Sequence, residues 1–331
     1  MAGTRLRDGV AHVWGGNVKP NILMFPVLAF LVLAIGAVPF HAALAQAGPG
    51  NEPARPAPRP VAPVTIKQLR DNVYAALGGA GGVSGVVVGD KGVIVIDAKQ
   101  TPDSAAQTIA RIGEITPKPV TTIILTGNGG EGIPGLAAYP AGLKIIAHAN
   151  TQKALERLAS ENARNKAPAD RMPNLIIKDD RKLLNLEGVR MVFLHIAPSH
   201  TLGESSVYLP DQRIVFTGYV AQARPDFPVI HPDQDGSAAG WLKFMRALIN
   251  VDADIYVLGP GDIWTKAQME QRLAAQQAVY EQIRGLVAAG KSRDEIRTTL
   301  HSGLNGRYPN YLFSEVAYDE IVKAGSSAKP Q

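Results

Sequence analysis

From Val64 onward, short runs of β-branched residues alternate with glycine- or proline-marked breaks. Val73-Tyr74-Ala75, residues 83–88 and residues 93–96 are too short for helices. Gly78-Gly79, Gly81-Gly82 and Asp90-Lys91-Gly92 separate them. The pattern predicts strands, with the last break a hairpin turn. Over 102–115 the period changes. Ala105, Ile109 and Ile112 recur at helical spacing behind Thr101, which can cap, and Pro102, which suits a first helical position. Residues 121–125, 143–147, 175–177, 189–196, 206–209, 214–217 and 255–258 predict further strands, and 151–158 and 238–249 helices. Thr265-x-x-Gln268 and Ser292-x-x-Glu295 are capping boxes that open two more helices, the first stopping at Gly290. Two strand-rich halves, each with internal hairpins and following helices, predict an α/β fold layered αββα. Hairpin-linked opening strands disfavour a doubly wound parallel sheet.

Residues 1–47 stand outside this pattern. Arg5, Arg7 and Lys19 precede an uncharged apolar run over 22–40, and Ala43-Leu44-Ala45 and Ala45-Gln46-Ala47 offer the small residues a signal peptidase reads. The segment is expected to be a signal peptide or N-terminal membrane anchor, and either exports the remainder to the periplasm or beyond, or holds it at the inner membrane. Residues 48–63, GPGNEPARPAPRPVAP, read as a proline-rich linker. The expected organisation continues with a sandwich over 64–262 and a C-terminal helical extension over 263–331 packed on it.

Composition narrows the chemistry. The 331 residues contain no cysteine and seven histidines, so disulfides, thiol nucleophiles and Cys-ligated zinc are excluded, and any metal site must use His, Asp and Glu. The formal net charge is +5, and losing the three basic and one acidic groups of 1–47 lowers it to +3. Basic residues form only short groups such as Arg55 with Arg59, with no interleaved aromatics, so no nucleic-acid partner is expected. The membrane enters only through the N-terminal segment if uncleaved. The partner is otherwise an unknown small molecule or protein.

Four strand ends run into loops able to carry chemistry: Thr126 to Gly135, Ala197 to Gly203, Gly218-Tyr219 and Gly259-Pro260-Gly261-Asp262. Together with Asp71-Asn72-Val73-Tyr74, Gly92 to Ala98, Ile124-Leu125-Thr126, Ser199-His200-Thr201-Leu202-Gly203 and Tyr208-Leu209-Pro210 through Phe216-Thr217-Gly218, this order resembles the metallo-β-lactamase fold superfamily over about 64–262. The resemblance implies a four-layered αββα sandwich and a hydrolase using one or two zinc ions and a metal-bound hydroxide. Its ligand positions fall on Gly127, Gly129, Glu131, Gly132, His200, Tyr219 and Pro260. Only His200 keeps a ligand of the family type, and Glu131 substitutes a longer carboxylate. Glycine and proline side chains offer a metal no donor. His231, in a loop expected to cross the same face, is the best recruit for a rearranged site with Glu131 and His200.

The resulting expectation is an exported, metal-free pseudoenzyme that binds or supports rather than hydrolyses, with these eight residues lining a vestigial pocket. It needs no cofactor. One alternative is a metal-dependent hydrolase of a lactam, thioester or other ester using Glu131 and His200, in which case zinc is the cofactor. A second is anion or nucleotide binding by residues 127–132, which spell G-x-G-x-x-G after a strand. Pro134 and the lack of a ribose-binding acid speak against a nucleotide. Tyr219 is expected to fill space left by the ions, His148 and His195 to be satisfied core-edge histidines, and Asp262 to cap a turn.

Overall fold

The computed structural model describes residues 61–161, 167–223, 228–300 and 309–327. The segments expected to be a signal peptide or anchor, 1–47, and a linker, 48–63, lie outside the described residues except for 61–63. The first sheet has seven strands in chain order: β1 (Thr65–Arg70), β2 (Val73–Leu77), β3 (Ser84–Val88), β4 (Val93–Ile96), β5 (Val120–Ile124), β6 (Lys144–His148) and β7 (Leu175–Ile177). β1 to β4 form antiparallel hairpins, and β4 to β7 run parallel. Between the parallel strands lie α1 (Pro102–Ile115) and α2 (Ala149–Ser160). The Thr101 side chain accepts the Ser104 N–H at 3.2 Å, so the expected cap of α1 is made.

The second sheet runs β13-β12-β11-β10-β9-β8, built from β8 (Arg181–Leu186), β9 (Val189–Leu194), β10 (Ser206–Leu209), β11 (Ile214–Phe216), β12 (Ile255–Val257) and β13 (Ile263–Thr265). α3 (Ala238–Ile249) joins β11 to β12, and α4 (Lys266–Ala288), α5 (Arg293–Leu300) and α6 (Phe313–Ser327) follow β13. β13 corrects the expected boundary at Asp262. It pairs with β12 through Ile263, Trp264 and Thr265, so the sheet continues into the stretch assigned to helices. Three residues ending in a capping threonine are too short a run for periodicity to detect.

Alternation along the strands builds the layers. In β4, Ile94 and Ile96 face the core between the sheets, while Val93 and Val95 face a second core with Ala105 and Ile112 of α1 and Leu155 of α2. In β9, Met191 and Phe193 enter the central core, and Val192 and Leu194 face a third, built on Trp241, Phe244, Met245 and Leu248 of α3. The observed fold is therefore the expected αββα sandwich. Met269 of α4, Ile296 of α5 and Phe313 of α6 join the third core, and Phe313 meets Trp241 edge-on at 5.7 Å. Both capping boxes form: Thr265 with Gln268, and Ser292 with Glu295. Glu320 of α6 accepts the Ala238 and Ala239 N–H groups at 3.0 Å each, placing a carboxylate at the electropositive end of α3.

The C-terminal segment also returns to the loop before α3. Tyr311 O accepts the Ile230 N–H at 2.7 Å, Pro228 O accepts the Phe313 N–H at 3.1 Å, and Val229 bridges Leu312. Among the described residues no helix is long and apolar enough to cross a membrane.

Candidate functional site

The loops after β5, β9 and β11, with the loop before α3, meet at one end of the sandwich around a cavity of about 170 Å³. Gly127, Gly129, Glu131, Gly132, His200, Tyr219 and His231 line it. A wider cleft of about 600 Å³ shares Glu131, His200, Tyr219 and His231 and adds Pro260, Gln222 and Tyr311. The structure thus brings together all eight residues selected from sequence.

Two carboxyl groups that sequence reasoning passed over also line the cavity. Asp97 directly follows β4, where its backbone turns left-handed at a φ of 62°. Its carboxyl accepts the Thr126 N–H at 2.9 Å and the Thr126 hydroxyl at 2.5 Å. Loss of hydration raises its pKa to about 7, against those two bonds, with help from Glu204 and Glu131. Glu204, 2 % exposed, follows the Ser-His-Thr-Leu-Gly segment. Burial pushes its pKa up to about 8, opposed by Thr201 and assisted by Glu131. A signal existed for both: a lone acid directly after a buried run, at a strand end or loop end facing the site.

The bonds around Glu204 agree with a protonated carboxyl. Thr201 Oγ1 accepts the Gly203 N–H at 3.0 Å and lies 2.9 Å from Glu204 Oε1 and 3.2 Å from Asn128 Oδ1. A hydroxyl has one proton to give. If Glu204 donates to Thr201, that proton is free for Asn128, whose amide donates in turn to Gln234 Oε1 at 2.8 Å. Each bond in the chain from Glu204 to Gln234 then has one donor and one acceptor.

His200 Nδ1 lies 2.5 Å from Val229 O and must donate to that carbonyl, leaving Nε2 as the basic nitrogen. Burial lowers its pKa. The ring of His231 stands edge-on to it at 4.8 Å and is itself 4.8 Å from the Tyr311 ring. Burial and the neighbouring His200 lower the His231 pKa as well, with Asp233 acting the other way. Tyr219 stacks over His200 at 6.3 Å between ring centres.

The glycines of the first loop have a positive structural reason. A Cβ on Gly129 would lie 2.5 Å from Glu131 Oε2, and one on Gly127 would lie 2.8 Å from Glu204 Oε2. The two carboxyl groups reach into the space that side chains at 127 and 129 would need.

Other expected residues fall elsewhere. His148 caps α2, accepting the Asn150 N–H at 3.2 Å, and stacks on His195 at 3.4 Å. His195 donates Nδ1–H to Glu204 O at 2.7 Å and its pKa is lowered to about 4, chiefly by burial and then by His148. His195 is satisfied as expected; at His148 the Lys178 backbone acts to raise a pKa that burial lowers, while Nε2 meets no partner at ordinary hydrogen-bond geometry. Asp262 turns the chain through its backbone, its carbonyl accepting the Leu258 N–H at 2.9 Å. Lys99, also passed over, is 1 % exposed and donates to Ala76 O, Gly78 O and Gly82 O at 2.7–2.8 Å, with its pKa lowered to about 8 by burial. It pins the loop after β2 that borders the cleft.

The zinc implied by the resemblance does not fit this donor set. Positions 127, 129, 132 and 260 offer no side-chain donor, and Asp97 and Glu204 are committed to Thr126 and Thr201. Among the described residues no three His, Asp or Glu groups converge as ligands would. A phosphate at the 127–132 loop would meet Asp97, Glu131 and Glu204, and the loop runs into a short 3-10 turn, Pro134–Ala138, instead of an α-helix.

The model of the metallo-beta-lactamase superfamily matches residues 138–259, beginning beyond the glycine-rich loop. The stereoselective inverting sec-alkylsulfatase Pisa1 from Pseudomonas sp. is similar in structure, with a TM-score of 0.64 at 15% identity over 81% of this chain and 52% of the sulfatase. This chain therefore spans about half the sulfatase's length. A double mutant of the same sulfatase aligns over the same shares with a TM-score of 0.62 at 15% identity. A metallo-beta-lactamase from Pontibacter korlensis aligns with a TM-score of 0.55 at 17% identity over 65% of this chain and 99% of that enzyme. No curated protein matches the sequence.

Proposed function

We propose that this chain, which has the metallo-β-lactamase fold, is a binding protein and not a metallohydrolase, and that its cavity holds a small polar molecule directly on protein groups. One observation carries the reading: the Glu131 and Glu204 carboxyl groups occupy the space in front of Gly129 and Gly127. Loss of ligands alone would leave a collapsed or apolar pocket. Here the loop is built around carboxyl groups, and among the described residues no lysine or arginine lines the cavity beside them. The leader-like sequence of residues 1–47 supports a place of action outside the cytoplasm.

Metal analysis of the purified full chain tests this. The expected result is substoichiometric zinc, iron and manganese, with thermal stability unchanged by chelator. Stoichiometric metal that disappears in Glu131→Ala or His200→Ala would overturn it. The same result would establish the second reading, a hydrolase with a rearranged site, favoured by the free Nε2 of His200 in the cavity that holds Glu131.

A further inference from the structure

We propose that the ligand of this site is an organic cation, a protonated or quaternary amine carrying an apolar body. The inference rests on the binding reading above and adds the class of molecule. Cavity and cleft together are lined by the acids Asp97, Glu131, Glu204 and Asp233, and among the described residues no lysine or arginine lines either space. Among the described residues, Lys153 and Arg157 of α2 line a separate recess of about 190 Å³ that shares Asn128 and Gln234 with the cavity, and the ammonium of Lys99, beside the cleft, is turned to three backbone carbonyls. An anion in the cavity would meet acid groups and no described cation, whereas a bound cation would pair with Glu131 and favour the ionised forms of Asp97 and Glu204, displacing the protons that burial makes them hold.

The rings refine the class. Tyr219, His200, His231 and Tyr311 succeed one another along the wall shared by cavity and cleft, with centres 4.8–6.3 Å apart. Both imidazoles have lowered pKa values, so they present neutral ring surfaces at neutral pH. Aromatic faces around a carboxylate attract ammonium groups through the ring quadrupole, and a quaternary centre, which cannot donate hydrogen bonds, gains most from them. The cleft of about 600 Å³ has room for more than a headgroup, and its apolar contacts at Val229 and Pro260 suit a hydrocarbon body. The Glu131 carboxyl lines both spaces and is the natural counter-ion.

Calorimetric titration of the chelator-treated full chain with choline and with its uncharged carbon isostere, 3,3-dimethylbutan-1-ol, separates charge from shape. Benzylamine against benzyl alcohol repeats the comparison with a larger body. The cations are expected to bind about tenfold or more tightly than the alcohols, and Glu131→Gln is expected to erase that preference. Tyr311→Leu, at the rim, should weaken the cations several-fold while leaving the melting temperature near that of the parent. Equal binding of cation and alcohol, no binding of any cation, or a preference that survives Glu131→Gln would overturn the proposal. Metal content is measured separately, so metal-free protein that ignores charge defeats the cation and leaves the binding reading intact.

Discussion

Glu315 and Glu204 are both almost wholly withdrawn from water, at 4 % and 2 % exposure, yet the chain treats them in opposite ways. Glu315, on α6, meets Arg297 through two bonds of 2.8 and 2.9 Å and Arg293 through a third of 3.2 Å. Glu204, in the cavity, has one hydroxyl and, among the described residues, no cation. Where the fold needs an ionised carboxylate, it surrounds it with arginine forks. At the site, burial with no such fork pushes the pKa values of Asp97 and Glu204 up. Lys99 is the cationic counterpart, a buried ammonium answered by three carbonyls and no acid. The contrast locates unspent electrostatic capacity in the cavity, which is where a ligand can use it.

The contrast can be broken by substitution, most severely at Lys99. Lys99→Met strands three carbonyls and is expected to cost about 4 kcal/mol in denaturant unfolding. A cost near zero would mean that the loop after β2 is held by something else. Arg297→Met comes next, at about 2 kcal/mol, below the usual cost of a broken buried pair because Arg293 remains. Glu204→Gln, by contrast, should leave stability at pH 7 unchanged or raised. A loss as large as that of Arg297→Met would erase the difference between the two acids.

Stability against pH sharpens the same point. Folding raises Glu204 from 4.5 to about 8 and Asp97 from 3.8 to about 7, so within those windows the native state holds protons that the unfolded chain has released. Stability is therefore expected to fall as pH rises from about 4 to 8, approaching about 1.4 kcal/mol per pH unit for each group, and to level off above. Glu204→Gln should flatten the upper part of that slope; an unchanged slope would show that Glu204 is ionised in the fold. The smallest effect belongs to Gly129→Ala. Its new methyl meets only the far end of the Glu131 side chain, so unfolding should change by less than about 1 kcal/mol while binding at the cavity falls. Equal losses in both would make the glycine merely structural.

Much of this was legible in the sequence, for identifiable reasons. Strands such as β4 bury both faces and read as unbroken Val-Ile runs, and α1 announces itself with Thr101-Pro102. β1 and β8 were missed because they are mostly exposed, TIKQLR and RKLLNL, and edge strands carry little hydrophobic signal. At the site, ligand-position reasoning found Glu131, His200, Tyr219 and His231 through the loops that hold them. It passed over Asp97 and Glu204, because a lone acid at the end of a buried run marks a position without telling what faces it across the sandwich. Tyr311 was out of reach for another reason: it arrives through backbone bonds to residues 228–231, a pairing that no local pattern encodes.

That pairing has a temporal consequence. Both sheets are complete by Thr265, but the cleft lacks a wall until Tyr311 is in place. A chain emerging N-terminus first can build the sandwich and the carboxyl-lined cavity while its ring-lined mouth is still unmade. Until residues 309–327 arrive, the cleft lacks Tyr311, α3 lacks the carboxylate of Glu320 at its start, and Trp241 lacks Phe313, so the last stretch of chain closes the mouth and the outer core in one step.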